Sequence, residues 1–226
     1  MEFFIHRESE INDNSFRVSA IKGTFDLSRS KIEENFRGEI VLPDDWRVGV
    51  IYGQSGTGKS TIARELFGEQ YFRSPEYGAS SVIDDMPKAA TIDMITQMFT
   101  SVGFGSTPSW LKPYSVLSNG EKMRVDLARS LLSDSPMIVF DEFTSVIDRH
   151  IAKIGSMCVQ KTIRKGNKRF IAVSCHDDIL EWLEPDWAFC TDSMVMVDHK
   201  KKDQKLNCVS CPQAEMNGSC LAVITI

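Results

Sequence analysis

Residues 53–60, Gly53-Gln54-Ser55-Gly56-Thr57-Gly58-Lys59-Ser60, have the spacing glycine, four free positions, then Gly-Lys-Ser. Glycines at those places let successive backbone N–H groups curl around an oxyanion, and the lysine adds a compact positive charge. Such a loop constrains the chain on both sides of it. It needs a buried strand entering and a helix leaving, so that the amides and the helix N-terminus face the same anion. Both are legible. Arg47-Val-Gly-Val-Ile-Tyr52 is a short apolar run that stops at Gly53, and apolar residues at 62, 63, 66 and 67 mark one face of a helix over 60–67, with Gly68 at its end. Strand, loop and helix together predict an α/β chain that holds the phosphates of a nucleotide.

The rest of the chain keeps alternating strand-like and helix-like segments. Residues 16–27 and 38–42 carry β-branched and aromatic residues at roughly alternate positions and read as strands, as does the short run Ser80-Ser-Val-Ile83. From Pro87 the apolar positions 92, 95, 99 and 102 keep helical spacing up to Gly103, and Pro108 and Pro113 then mark an irregular connection. A helix follows Gly120, a buried strand covers 137–140, and Ile147, Ile151, Ile154 and Cys158 line a long helix ending near Gly166. Phe170-Ile-Ala-Val-Ser-Cys-His176 is another buried strand, and 187–190 pairs with 194–197 as a hairpin around Thr191-Asp-Ser193. This order predicts a largely parallel central sheet with helices packed on it.

A chain of 226 residues, 42% of them hydrophobic, buries a core of its own and suits one domain, here residues 1–198, followed by a tail over 199–226 rich in lysine and cysteine. Lys and Arg total 26 against 31 Asp and Glu, so the net charge of −5 gives no global attraction to nucleic acid or to an anionic membrane. No stretch reaches the roughly 18 apolar residues that span a bilayer, and the first residues lack the basic and apolar sections of a signal peptide. A cytoplasmic protein is expected.

Chemistry concentrates at the ends of the apolar runs. Lys59 should reach the β and γ phosphates and Ser60 should ligate Mg²⁺, while the amides from Gly53 through Thr61 hold the remaining oxygens. Asp141 and Glu142 follow the strand over 137–140, where α/β folds put ligand chemistry. One carboxylate there suits Mg²⁺ and the other suits the water that attacks a phosphoryl group. Ser118-Asn119-Gly120-Glu121 has capping-box spacing ahead of apolar positions 125, 128 and 132, so it opens a helix whose N-terminus can also face an anion.

These segments, in this order, resemble the ATP-binding cassette (ABC) ATPases over roughly residues 16–192. Leu117-Ser-Asn-Gly-Glu121 is similar to the LSGGQ signature of that family, with Asp141 placed 23 positions after Ser118. Phe143-Thr-Ser-Val-Ile-Asp148 resembles the stretch leading into the D-loop, and His176 falls where the switch histidine is expected. The resemblance implies a P-loop NTPase fold of ABC type, with antiparallel N-terminal strands beside the mostly parallel sheet and a helical subdomain over about 86–133. It implies a head-to-tail homodimer that sandwiches two ATP molecules between one subunit's phosphate loop and the other's Ser118, Asn119 and Gly120. Glu142 would be the general base, His176 would touch the γ-phosphate, Asp148 would couple the two sites and Phe25 would stack on adenine, with Phe16 and Phe36 as competitors.

Two departures bear on what the ATPase drives. Where the family has a Q-loop glutamine this chain offers Asp84 and Asp85, which either contact Mg²⁺ through water or cap the helix beginning near Pro87. Only 59 positions separate Lys59 from Ser118, which shortens the helical segment that docks on membrane subunits and disfavours a transmembrane partner. The expectation is a compact stand-alone ATPase of the kind found in bacteria and their phages, passing its motion to a partner protein or nucleic acid. Its rivals are an ATP-gated scaffold, the ATPase subunit of a transporter, and a small-molecule kinase, which the signature disfavours. In the tail, Cys208, Cys211, Cys220 and His199 supply enough sulfur and nitrogen for a Zn²⁺ site.

Overall fold

A computed structural model describes residues 1–12, 14–26, 31–70, 76–145 and 147–197. The chain divides into two compact units, one formed by residues 2–39 and the other containing residues 40–197. The expected tail, with its zinc candidates Cys208, Cys211, Cys220 and His199, lies outside the described residues.

The larger unit is built on a five-stranded sheet. Strand β3 (Val48–Tyr52) lies at its centre, between β5 (Arg169–Ser174) and β6 (Trp187–Cys190). Beyond β5 comes β4 (Met137–Phe140), and beyond β6 comes β7 (Val195–Val197). Strands β4, β5, β3 and β6 run parallel, and only β7 is antiparallel to its neighbour. Parallel strands covered on both faces have no polar side, so they read as continuous apolar runs rather than alternating ones. Val48, Val50, Ile51, Phe170, Ile171, Ala172, Val139, Ala188 and Phe189 are accordingly buried.

Four helices of this unit follow the sequence expectation in outline, α2 (Lys59–Phe67), α3 (Ile92–Ser101), α5 (Asn119–Leu132) and α6 (Arg149–Lys165). The connection expected to be irregular around Pro108 holds a single helical turn, α4 (Thr107–Trp110). A further short helix, α7 (Ile179–Leu183), was not expected. Val125, Leu127 and Ala128 from α5 and Val159 and Ile163 from α6 pack into one core with Phe140, Phe143 and Phe170. The rings of Phe143 and Phe170 meet edge to face at 5.6 Å.

Two contacts set the sheet's geometry. At the strand starts, Asp186 accepts the Arg47 and Val48 amides at 2.7 and 3.0 Å, so a buried carboxylate satisfies the donors that begin β3. Inside the sheet, Gly49 leaves room for the indole of Trp187. A Cβ at residue 49 would lie 2.2 Å from Trp187 Cζ2.

The segment between α2 and α5 departs from expectation. Ser80–Ile83 forms turns rather than a strand. The Val82 and Ile83 amides donate to Lys112 O and Trp110 O at 2.9 and 3.2 Å, so a loop beside α4 takes the bonds a ladder would have used. Tyr77 and Tyr114 stack with ring centroids 3.8 Å apart, and both hydroxyls donate to Asp126 on α5, at 2.6 and 2.8 Å. Burial, with Asp126 beside it, pushes the Tyr77 pKa up. This polar stack ties the loop to α5.

The smaller unit is an antiparallel pair, β1 (Glu2–Glu10) with β2 (Lys31–Glu39), in register from Glu2 opposite Glu39 to Glu10 opposite Lys31. Phe3 and Ile5 are buried and Phe4 is exposed, the period of two that a strand imposes. Lys31 pairs with Glu8, and His6 Nδ1 lies 2.7 Å from Asn35 Oδ1. The strand expected over 16–27 is a correction: residues Phe16–Thr24 form helix α1, with Ser15 at its N-cap and the Phe25 amide closing it on Ile21 O at 3.0 Å. No residue of α1 is buried, so no core selected between a period of 2 and one of 3.6. The strand expected over 38–42 is also displaced, since β2 ends at Glu39.

Candidate functional site

The four parallel strands end at one edge of the sheet, because the register pairs Tyr52 with both Ser174 and Cys190, and Phe140 with Ala172. The segments that follow those strands begin with Gly53, Cys175, Thr191 and Asp141 respectively. Phosphate loop, acidic pair and histidine are therefore gathered by the ladder itself.

Gly53 turns out of β3 with φ of 153°, and Gly56 and Gly58 take left-handed values of 86° and 84°. At Gly53 the demand is steric too, since a Cβ would meet Thr191 Oγ1 at 2.3 Å and Asp192 Oδ2 at 3.0 Å. Lys59 is buried and its Nζ donates to Gln54 O at 2.5 Å, which folds the lysine over its own loop. Thr57 Oγ1 donates to Gln54 O at 2.8 Å, and the hydroxyls of Thr57 and Thr191 share a bond of 2.6 Å. The loop amide of Gln54 donates to both oxygens of Asp192, each at 3.1 Å. Tyr52, just before the loop, has its pKa pushed up to about 12, first by burial and then by Cys190.

Ser60 Oγ donates to Asp141 Oδ1 at 3.0 Å, and Arg64 Nη2 lies 3.7 Å from Asp141 Oδ2. Hydroxyl and carboxylate, two of the residues expected to hold Mg²⁺, thus come from α2 and the end of β4 to one point. They are hard oxygen donors of the kind that ion takes, so the residues fit it. Glu142 is exposed and backbone-strained, with φ of 53°, and its amide donates to Asp141 Oδ1 at 2.9 Å. Thr144, buried, has φ of 66°. Two non-glycine residues in left-handed conformation within three positions mark a turn whose shape is over-determined by its surroundings. The Phe143 amide, donating to Val173 O at 2.8 Å, extends the tie between the β4 and β5 ends. His176 follows β5 by two residues, half-buried, with its amide donating to Ser174 Oγ at 3.1 Å.

Ser118 and Glu121 form the expected capping box at the start of α5. Ser118 Oγ accepts the Glu121 amide at 3.3 Å, and Glu121 Oε2 accepts the Ser118 amide at 2.9 Å and the Ser118 hydroxyl at 2.8 Å. The Ser118 amide, foremost, holds the Glu121 carboxyl below its ordinary pKa. Asp148 caps α6 by accepting the His150 amide at 2.8 Å.

Other expected residues are differently engaged. Asp84 accepts the Ser81 hydroxyl, and Asp85 Oδ1 accepts the Gly78 and Ala79 amides at 3.2 and 3.1 Å, so both brace the loop before α3. Neither caps that helix. Thr91 does, accepting the Met94 amide at 3.3 Å. Phe25, the adenine candidate, is not on a strand. It is 66% exposed at the end of α1, with Phe16 even more open at 86%. Among the described residues no cluster of three or more His, Cys, Asp or Glu side chains could hold a metal ion.

Sequence reasoning passed over Thr191 and Asp192 except as a hairpin turn, and had no signal for Arg149 or Asp178. The latter pair form a two-pronged ion pair between α6 and α7.

No family model matches the chain. It is 30% identical over 122 residues to an ATP-dependent lipid A-core flippase of Idiomarina loihiensis, covering 51% of this chain and 21% of that protein. It is 30% identical over 137 residues to an uncharacterized ABC transporter ATP-binding protein of Haemophilus influenzae, covering 48% of this chain and 55% of that one. The chain thus spans from about a fifth to just over half of these relatives. Among solved structures, it resembles the dimeric structure of a bacterial ABC transporter cassette, with a TM-score of 0.55 at 13% identity, over 73% of this chain and 88% of that one. It also resembles the dimeric, post-hydrolysis state of an ATP-binding cassette bound to ADP and Pi, with a TM-score of 0.57 at 12% identity and the same coverage. The fold is that of these cassettes. Among the described residues no helix is long and apolar enough to cross a membrane.

Proposed function

We propose that this chain acts as an ATP-binding cassette (ABC) ATPase, a reading that its sequence relatives and its fold support: it binds Mg-ATP, pairs with a second copy and hydrolyses the γ-phosphoryl bond. The observation that carries this reading is the meeting of Ser60 Oγ and Asp141 Oδ1 at 3.0 Å, directly beside the phosphate loop and one residue before Glu142.

The division of labour follows from what each group is. Loop amides from Gly53 through Thr61 hold the phosphate oxygens, and Lys59 places a point charge on the β and γ phosphates. Ser60 and Asp141 would hold Mg²⁺, which when bound offsets charge on those phosphates. Glu142 accepts the proton of the attacking water, and His176, leaving the neighbouring strand, orients the γ-phosphate. A second copy supplies Ser118, Asn119 and Gly120 at its α5 N-terminus to the same phosphate, with Asp148 coupling the sites. Closing and opening of that dimer is passed to a partner protein or nucleic acid by a stand-alone cytoplasmic ATPase. A second reading, the ATPase subunit of a transporter, is favoured by the names its relatives carry and opposed by the short segment between α2 and α5.

Replacing Glu142 with Gln tests the reading. It should stop phosphate release while leaving ATP binding, and trap a dimer visible by size-exclusion chromatography at saturating ATP. A variant that still releases phosphate at the wild-type rate would exclude Glu142 as the base. Co-purification of the wild-type chain with membranes would favour the transporter reading.

A further inference from the structure

Arg149 is the first residue of α6, and the acidic side chain just before it, the N-cap Asp148, is engaged by the His150 amide at 2.8 Å. A cation there faces the positive end of the helix dipole, so the placement costs free energy unless something else holds the charge. Its guanidinium is held in three directions. Nε donates to Asp178 Oδ2 at 2.8 Å and Nη2 donates to Asp178 Oδ1. Nη1 lies 3.4 and 3.5 Å from the carbonyl and hydroxyl oxygens of Thr144. The charge also sits 5.1 Å from the centre of the Trp182 ring on α7, within cation–π range.

Each partner belongs to a segment with one of the proposed reacting groups. Thr144, buried and in left-handed conformation, is two residues beyond Glu142. Asp178 is two residues beyond His176. Cys175 and Ser145, from the same two segments, also touch, with Sγ 3.7 Å from Oγ. A bidentate guanidinium fixes both distance and orientation, which a lysine ammonium cannot do.

We propose that Arg149 is a positioning residue that locks the Glu142 turn to the His176 segment, so that base and histidine meet the γ-phosphoryl group as one unit. This rests on the ATPase reading above. A misplaced base costs turnover without weakening ATP binding, because neither Thr144 nor Asp178 belongs to the phosphate loop.

The test is a double-mutant cycle in the full chain with Arg149→Ala, Asp178→Ala and the pair, each assayed for ATP turnover. The expected result is a fall in kcat of about tenfold for each single variant, with KM for ATP unchanged and the double variant no worse than either. Arg149→Lys should recover only part of the loss, and the exchanged pair Arg149→Asp with Asp178→Arg should recover more than either half. Additive losses, a change confined to KM, or wild-type kcat in Arg149→Ala would overturn the proposal.

Amide hydrogen exchange provides a readout that needs no turnover. Arg149→Ala should speed exchange in both 141–145 and 174–178, with the sheet amides of β3 unaffected. Loosening of one segment alone overturns the clamp. A wild-type chain that releases no phosphate would sink the ATPase reading, while the exchange result still decides the clamp.

Discussion

Helices α2 and α5 both start where the proposed chemistry needs an anion site, yet they start in opposite ways. The N-cap of α2 is Gly58, left-handed at φ 84° and with no side chain to bond the first amides. The N-cap of α5 is Ser118, whose hydroxyl and backbone are both tied to Glu121. Any helix has amide donors in its first turn without internal partners, and these are satisfied by a cap or by a ligand. At α2 the sequence withholds the cap and surrounds the gap with Lys59 and glycine amides. At α5 it provides a complete cap, including a carboxylate. The phosphate loop is thus built to be finished by a ligand, whereas the α5 terminus is finished by its own residues.

The largest expected effect tests the open end. Lys59→Ala should lower ATP affinity and turnover by about 100-fold or more, since the lysine is the one side-chain cation of the loop. Circular dichroism should show the fold retained, because what Lys59 Nζ gives up is one bond to Gln54 O. A variant that binds ATP normally would break the comparison, for the loop would then be an ordinary turn.

Stability should respond elsewhere. Gly49→Ala introduces, within β3 and outside the phosphate loop, a Cβ 2.2 Å from the buried Trp187 indole. Overpacking of that kind costs about 1–3 kcal/mol, measurable as a lower midpoint in urea. By contrast Ser118→Ala removes a cap and should cost about 1 kcal/mol. If Ser118→Ala also abolishes the nucleotide-dependent dimer, the self-finished terminus still serves a second copy. Loss of stability alone would restrict it to capping.

The open end was the legible part. Glycines at 53, 56 and 58 follow from the backbone shape itself, and continuous apolar runs reveal parallel strands without any knowledge of their neighbours. Asp141 and Glu142 were readable because a strand end is a local feature. What was hidden is set by tertiary partners. Residues 16–27 alternate like a strand, but with no residue of α1 buried, local bonds such as that from the Thr24 hydroxyl to Ala20 O at 2.8 Å fit the helix that Phe16–Thr24 form. Ser80–Ile83 carries two β-branched residues, as a strand would, yet the Val82 and Ile83 amides donate to Lys112 O and Trp110 O. Arg149 and Asp178 are 29 positions apart, and Asp192 meets Gln54 across 138, so no window of sequence contains either pair.

The smallest expected effect isolates the carboxylate of the closed end. Glu121 has its pKa lowered because the ionised form accepts the Ser118 amide and hydroxyl, while little burial opposes it. The stabilisation from a depressed carboxyl is fully present above its unfolded value, the ordinary 4.5, and is lost as pH falls through the lower folded value. Glu121→Gln keeps an acceptor for the cap but removes the titrating charge. Near neutral pH the variant should differ in stability by only a few tenths of a kcal/mol, since the site is largely open to solvent. Below about pH 4.5 the wild type should lose that difference and the variant should not, which urea midpoints across pH 3–7 would read. The same change takes a negative charge away from an α5 terminus proposed to meet a triphosphate, so the variant's ATP-dependent dimer should tighten, most visibly at low ionic strength. If the dimer weakens instead, the carboxylate aids pairing, and the contrast between the two helix starts is one of timing rather than of construction.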